Sequence, residues 1–177
     1  NEFRGIKVRT GALISGSTGW GEFAPFPEYG DAIAARWLAG SLEAAFGKFP
    51  ERVRASVPVN AIIPILGQAE TKAAVESAVT NHGMTTFKIK VGGGAAGSLA
   101  DDLERCQIVR TTLDELGVVG KIRIDVNGSW SVAQALESVK QIVQIVGELD
   151  YVEQPCTEIK ELLNLRNEMS NWSVPVR

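Results

Sequence analysis

The sequence predicts an α/β fold, in which residues 57–177 form the first half of a TIM-type (β/α) barrel and residues 1–56 form a small α+β segment ahead of it. Two observations support this prediction. From Val57 onward, short β-type runs alternate with helical patterns, and each unit takes roughly 30 residues, the size of a βα repeat with parallel strands. The strands also carry charged side chains on one face, which the interior of a barrel accommodates.

Composition excludes several classes of function. The chain of 177 residues has a net charge of -3, which argues against general nucleic-acid binding, and it contains no apolar run long enough to span a membrane. No secretory signal is visible in the polar first residues. Cys106 and Cys156 are too few for a disulfide framework, so a reducing cytoplasm is the simplest setting. The single histidine, His82, is expected to be a solvated residue at a helix end.

The predicted elements follow one another along the chain. Val8–Phe23 predicts a hairpin with glycines in its turns, and an Ala-rich helix follows around Ile33–Phe46. Four strands come next, each before a helix, and their sequences are VPVNAII, TTFKIKV, KIRIDVN and LDYVEQP. The four helices are expected to end near Asn81, Leu116, Val146 and Met169, and SVPVR begins a fifth strand.

Local capping signals mark two of these helices. Ser131 and Gln134 form a capping box, and Gly147 ends the apolar pattern that follows. Ser98 can cap the preceding helix, whose apolar stripe includes Cys106. The position of Cys106 on that stripe predicts a buried thiol that packs in the core.

The polar strand faces contradict a sheet that is covered by helices on both sides. Such strands should be apolar throughout, and an unpaired buried charge costs several kcal/mol. Lys88 and Lys90 share one face of their strand, opposite Phe87, Ile89 and Val91. In a barrel, Lys90, Asp125 and Glu153 would all reach the mouth at the C-terminal ends of their strands.

A glycine motif offers a competing interpretation. Gly92, Gly94 and Gly97 fit G-x-G-x-x-G, which is typical of dinucleotide-binding loops. The first strand of a dinucleotide-binding fold is buried on both faces, however, and has no room for Lys88 and Lys90. No G-K-[ST] sequence follows either, so we interpret the glycines as a flexible loop before the next helix.

The residues at the mouth indicate a reaction class. Asp125 and Glu153 are hard oxygen ligands suited to Mg²⁺, with a third ligand expected from the next strand. A neighbouring like charge, a nearby metal ion and partial burial should lower the pKa of a lysine there, so that it can take a proton from carbon. The predicted reaction is proton abstraction α to a carboxylate, with stabilisation of the enediolate by the metal. The alternative is that Lys88, Lys90 and the two carboxylates form structural ion pairs.

Three motifs resemble the enolase superfamily in its muconate-lactonizing subgroup. The K-x-K, D-x-N and E-Q-P motifs that end the second, third and fourth barrel strands of that subgroup match Lys88–Lys90, Asp125–Asn127 and Glu153–Pro155. Within the subgroup, the sequence is similar to the o-succinylbenzoate synthase family of the actinobacterial type. That likeness is supported by four further segments, Gly19–Tyr29, Ala34–Leu38, Val57–Pro64 and Tyr151–Cys156.

The resemblance implies a capping α+β domain over a modified (β/α) barrel. It implies a magnesium-dependent dehydration of a cyclohexadiene carboxylate to o-succinylbenzoate in menaquinone biosynthesis. By the same likeness, Lys90 is the base and then the acid that helps hydroxide leave, and Lys88 tunes it and helps to hold the enediolate. Asp125 and Glu153 would be the metal ligands. The supporting residues would be Asn127 and Arg123.

The resemblance also implies a mobile capping loop at Gly19–Phe23, and the alternative is a plain hairpin with a buried Trp20. The family's third metal carboxylate and second catalytic lysine lie on the fifth and sixth strands, whereas this chain stops at Pro175–Arg177. We therefore expect a piece of a longer protein, or a truncated product without catalysis. An N-acylamino acid racemase or dipeptide epimerase of the same superfamily stays open. The expected partner is a small carboxylate substrate, with no nucleic acid and no membrane.

Overall fold

The computed structural model describes residues 6–93 and 98–177. Gly94 and Gly97 of the glycine motif lie outside the described residues, whereas Gly92 lies within them. The chain divides into two compact units, Asn1–Val57 and Pro58–Arg177. Each unit is considered separately below.

The first unit is a β-hairpin with one helix packed on it. Strand β1 (Ala12–Ser15) pairs antiparallel with β2 (Trp20–Phe23), and helix α1 (Asp31–Phe46) follows. A Cβ atom added at Gly21 would lie 1.9 Å from the carbonyl oxygen of Ser41, so only glycine allows this close approach of α1. The predicted hairpin and helix are confirmed. The buried Trp20 of the plain-hairpin alternative is wrong, because Trp20 is 68% exposed.

The second unit is a series of βα units that builds a parallel sheet. Its four strands are hydrogen-bonded in the order β3-β4-β5-β6, with every pair parallel. This confirms the predicted α/β fold with a partial barrel. In chain order the elements are β3 (Ala61–Ile63), α2 (Gln68–His82), β4 (Thr86–Lys90), α3 (Leu99–Glu115), β5 (Lys121–Asp125), α4 (Val132–Val146), β6 (Tyr151–Glu153) and α5 (Ile159–Glu168).

The end of the chain lies beside β6. Val176 forms a parallel bridge with Val152. The backbone N–H of Val152 donates to the carbonyl of Pro175 at 2.9 Å, and that of Arg177 donates to the carbonyl of Val152 at 2.9 Å. The segment predicted to begin a fifth strand therefore pairs with β6 through its last three residues, Pro175–Arg177.

One face of the sheet packs under the helices and forms the core. Its strand residues are fully buried, as are the apolar residues on the facing stripes of α3 and α4, and both kinds belong to one cluster. Burial of such aliphatic and aromatic side chains contributes about 1.5–3 kcal/mol each. The large, fully buried members of the cluster include Phe87, Ile89, Ile122, Ile124, Leu113 and Ile142.

The helix ends follow the predicted capping chemistry. The Ser131 hydroxyl accepts a hydrogen bond from the N–H of Gln134 at 3.3 Å, and the Gln134 side chain accepts one from the N–H of Ser131 at 2.9 Å. Ser98 caps α3 in the same way. His82 is exposed in the last turn of α2, as expected. Among the described residues, none of the helices is both long and apolar enough to cross a bilayer.

Candidate active site

The pairing register of the sheet places the predicted site residues in rows. Lys90, Asp125 and Glu153 are direct neighbours across β4, β5 and β6 and form the last row of these strands. Lys88, Arg123 and Tyr151 form the row two residues earlier. Because side chains two residues apart share a face, both rows project from the side of the sheet opposite the helices.

The lysines and carboxylates of these rows contact one another. Lys88 Nζ lies 3.0 Å from Glu153 Oε2 and 3.1 Å from Asp125 Oδ2, so it bridges two carboxylates from neighbouring strands. Lys90 Nζ donates to Asp125 Oδ2, and to Asn127 Oδ1 at 2.8 Å. The Asp125 side chain is only 2% exposed, whereas that of Glu153 is 36% exposed. Two cations and two anions thus balance in one partly open cluster.

This network shifts the pKa of Asp125 and of Lys88. Burial raises the pKa of the Asp125 carboxyl, but hydrogen bonds from Lys90 and Lys88 outweigh burial and hold that pKa below its ordinary value. Burial lowers the pKa of Lys88, but its bonds to Glu153 and Asp125 outweigh burial and raise the pKa above 10.5. Among these side chains the pKa of Lys88 therefore shifts upward, whereas the predicted fall in lysine pKa included the effect of a nearby metal ion. The cross-strand carboxylates dominate over the like charge on the same strand.

Backbone strain accompanies the site. Asn127 has φ of 53° and lies two residues after Asp125, and Gln154 has φ of 42° and directly follows Glu153. Left-handed backbone at residues other than glycine is uncommon and clusters at functional sites. At Asn127 this conformation lets its backbone N–H donate to Asp125 Oδ1 at 3.1 Å. The Asp125 carboxylate is therefore held both by the backbone N–H of Asn127 and by the amines of Lys88 and Lys90.

Arg123 occupies a different position from the other site residues. Its Nε donates to Asp150 Oδ2 at 2.7 Å and its Nη1 to Asn60 Oδ1 at 3.0 Å. Its guanidinium carbon lies 4.8 Å from the centre of the Tyr151 ring. Arg123 thus links β5 to the residues that directly precede β3 and β6. Sequence reasoning did not identify Asn60 or Asp150.

The donor atoms fit a hard divalent cation in kind, although the set is small. Asp125 and Glu153 offer carboxylate oxygens and Asn127 an amide oxygen, which are ligands that Mg²⁺ accepts. Within residues 6–93 and 98–177, His, Cys, Asp and Glu side chains form no group of three that could hold a metal ion. These residues therefore supply two carboxylates and no complete cage.

A second charged cluster, which sequence reasoning missed, lies behind the strand end. Asp102 and Arg105 of α3 are 2% and 4% exposed and form an ion pair of 2.8 Å. The available signal was their position on the buried stripe of α3, where a charge needs a partner.

Two family models match the chain. Residues 1–45 match the enolase N-terminal domain-like family, and residues 70–176 match the enolase C-terminal domain-like family. The second match covers more than half of the chain.

Curated relatives in actinobacteria share one name. The chain is 45% identical over 168 residues to the o-succinylbenzoate synthase of Thermobifida fusca, and this alignment covers 95% of this chain and 50% of that protein. It is 42% identical over 164 residues to the o-succinylbenzoate synthase of Mycolicibacterium smegmatis, which covers 93% of this chain and 48% of that protein. The chain spans about half the length of the curated relatives it matches.

Solved structures share the fold. A muconate cycloisomerase from Pseudomonas fluorescens aligns with a TM-score of 0.57 and 24% identity, over 71% of this chain and 32% of that chain. A muconate lactonizing enzyme from Pseudomonas putida aligns with a TM-score of 0.52 and 21% identity, over 70% of this chain and 32% of that chain.

Proposed function

This chain belongs to the enolase superfamily, and from that membership we propose that the full-length protein is an o-succinylbenzoate synthase. It would be a dehydratase that removes the α-proton of a cyclohexadiene carboxylate and then water, in menaquinone biosynthesis. Residues 1–56 would be the capping segment and residues 57–177 the first half of the barrel. The name of the curated actinobacterial relatives supports this choice of substrate.

The observation that carries the proposal is the lysine–carboxylate cluster at the C-terminal strand ends. Lys88, Lys90, Asp125 and Glu153 come from three strands, yet each touches another member of the group. A purely structural ion-pair network would not need to sit in a partly open row, where Glu153 is 36% exposed. A barrel mouth is the place where substrates of this architecture bind.

The chemistry assigns a role to each lysine. The amine of Lys90 takes the proton from the carbon next to the carboxylate, and the electrons of the broken C–H bond move into an enediolate. When the enediolate collapses, a C=C bond forms, the C–O bond breaks, and the Lys90 ammonium returns its proton to the leaving hydroxide, which departs as water. Lys88 places its positive charge beside the enediolate oxygens.

A divalent cation, Mg²⁺ in this proposal, would be held by Asp125 and Glu153 and would stabilise negative charge on the substrate carboxylate. In the structure, the same carboxylate oxygens accept hydrogen bonds from Lys88 and Lys90. A cation at these oxygens would therefore release the lysine amines toward the substrate.

Cytoplasmic localisation is supported by two buried cysteines that are both free thiols.

The test is a substrate comparison with the purified full-length protein. Conversion of the cyclohexadiene carboxylate to o-succinylbenzoate is measured beside racemisation of N-acylamino acids and epimerisation of dipeptides. We expect dehydration with a kcat/KM in the usual enzymatic range of about 10⁴–10⁸ M⁻¹s⁻¹. Racemisation or epimerisation at that level, with dehydration absent, would replace the proposed substrate with a rival one. Absence of all three activities would overturn the proposed function and favour the alternative of a protein without catalysis.

A further inference from the structure

The backbone that carries Lys90 is held from behind by the buried ion pair of α3. Arg105 Nη1 donates to the carbonyl oxygen of Lys90 at 3.2 Å, and Asp102 Oδ2 accepts from the N–H of Gly92 at 2.7 Å. Between them, the N–H of Val91 donates to the carbonyl of Asp125 at 3.1 Å. Three successive residues at the end of β4 are therefore tied down, two of them by side chains of one helix.

The conformation and surroundings of Gly92 leave no room for a side chain at this position. Gly92 has φ of +70°, and an added Cβ would lie 2.4 Å from the Ser129 hydroxyl and 3.0 Å from Trp130 Nε1. A side chain at this position, two residues after the end of β4, would meet both a strained backbone conformation and a steric clash. Without an acceptor, the N–H of Gly92 would be an unpaired donor, and Asp102 supplies that acceptor.

A buried ion pair contributes little net stability to the contact between a helix and a sheet. Removal of two charges from water costs several kcal/mol each, and an apolar pair of similar volume often gives equal or greater stability. Arg105 also leaves its Nε without a partner among the described residues, which adds to the cost. Packing alone therefore does not account for Asp102 and Arg105. Their distinctive property is that they direct hydrogen bonds to two fixed points of the backbone.

We propose that Asp102 and Arg105 are positioning residues for Lys90: the pair clamps the carbonyl of residue 90 and the N–H of residue 92, and so fixes the direction from which the lysine amine meets the substrate. This inference rests on the proposed role of Lys90. The hydrogen bonds that Asp102 and Arg105 make to this strand end go to backbone atoms of Lys90 and Gly92, so both act through the backbone. Displacement of a catalytic group by about 1 Å can cost on the order of 10²-fold in rate.

Two variants of the full-length protein test the clamp. Asp102→Asn with Arg105→Met removes both charges together, so no unpaired buried charge is left behind. Arg105→Lys keeps the charge next to Asp102 but loses the planar guanidinium, and it serves if the double variant does not fold. We expect kcat for dehydration to fall by about 10–100-fold, with KM changed by no more than about threefold.

A matched control exists on the same helix. Arg110 bonds Asp114 at 2.7 Å and donates to the carbonyl of Val118 at 3.3 Å; this pair lies at the opposite end of the strands and is less buried, since Asp114 is 65% exposed. Asp114→Asn with Arg110→Met should leave kcat within about twofold of wild type. Circular dichroism and the urea midpoint of each variant show whether the protein is folded.

The outcomes separate this inference from the proposed function. If folded Arg105→Lys or the folded double variant keeps the wild-type kcat, or loses no more than the control pair, the clamp is wrong. If Lys90→Ala in the same assay keeps the wild-type rate, the proposed role of Lys90 fails instead. A fall in kcat at constant KM, confined to the Asp102–Arg105 variants, supports the inference.

Discussion

At the scale of single residues, the site is organised by Lys88. Its amine bridges Asp125 and Glu153 at 3.1 and 3.0 Å, which joins side chains of two strands that would otherwise repel each other. The pKa of Lys88 was not predictable from the sequence, because it depends on two carboxylates that are distant along the chain. From the sequence, the like charge of Lys90, partial burial and a nearby metal ion all favoured a lower lysine pKa, and ion pairs with the two carboxylates were the alternative.

Lys88→Ala should therefore impair catalysis. Loss of the bridging cation removes a charge that stabilises the enediolate, and such groups contribute roughly 10²–10³-fold in kcat. The control is Lys72→Ala, since Lys72 pairs with Glu115 on the surface at 2.7 Å and is 47% exposed. Surface pairs of this kind contribute little, so the control should behave as wild type. Equal dehydration rates for both variants would exclude Lys88 from the reaction.

Cys106 gives a test of the core through its titration. Burial raises the pKa of this thiol from 9.0 to about 12, and its side chain is fully buried. Because the thiolate is the reactive form, native Cys106 should resist iodoacetamide even at about pH 9, where an ordinary thiol is half ionised. In urea the same cysteine should react within minutes. Peptide mass spectrometry locates the label, and rapid labelling of Cys106 in the native state would show that the core is open.

At the scale of the elements, local chemistry and the series of parallel βα units were readable from the sequence, and the length of each strand was not. The capping serines and the two-residue alternation of β4 and β5 depend on neighbours in the chain, so their prediction is confirmed. The first barrel strand was predicted from Val57, but β3 is only Ala61–Ile63, and Val57 and Val59 are each 70% exposed. A strand extends only as far as its partner does, and β4 offers three paired residues.

Substitution of the cap of α4 tests this element. Ser131→Ala removes the acceptor for the N–H of Gln134 and half of the capping box. We expect the free energy of unfolding to fall by about 1 kcal/mol, which is typical for a lost N-cap. Ser170→Ala, at an exposed serine after α5, is the control and should change stability by less than about 0.5 kcal/mol. Urea denaturation of both variants provides the comparison, and equal midpoints would contradict the role of Ser131.

The missed pair of Asp102 and Arg105 shows the limit of pattern reasoning. Helical spacing placed apolar residues of α3 toward the sheet, and these two charges lie on the same side. Their partners are backbone groups of Lys90 and Gly92. The residue types in a sequence do not predict which side chain will bond a distant backbone group. Only the assembled sheet and helix bring those atoms together.

At the scale of the whole molecule, the site has two carboxylates and two lysines that neutralise them. The chain spans about half the length of its curated relatives, and the described residues hold no group of three metal-ligating side chains. We therefore expect the 177-residue chain to bind Mg²⁺ weakly, because a dication must displace both lysines and finds only two carboxylates. Calorimetric titration is the measurement. Tight stoichiometric binding, abolished by Asp125→Asn, would show that the cage is already complete.

The central claim is that Lys90 takes the α-proton, and the dehydration rate of Lys90→Ala in the full-length protein tests it most directly. The side chain lies in a polar row and not in the apolar core, so circular dichroism and the urea midpoint should stay close to wild type. We predict a loss of about 10²–10⁴-fold in kcat, the usual contribution of a general acid–base group. Lys90→Arg should fail similarly, because a guanidinium stays protonated at neutral pH. A folded Lys90→Ala protein that keeps more than about a tenth of the wild-type rate lies well outside that range and would contradict the assignment.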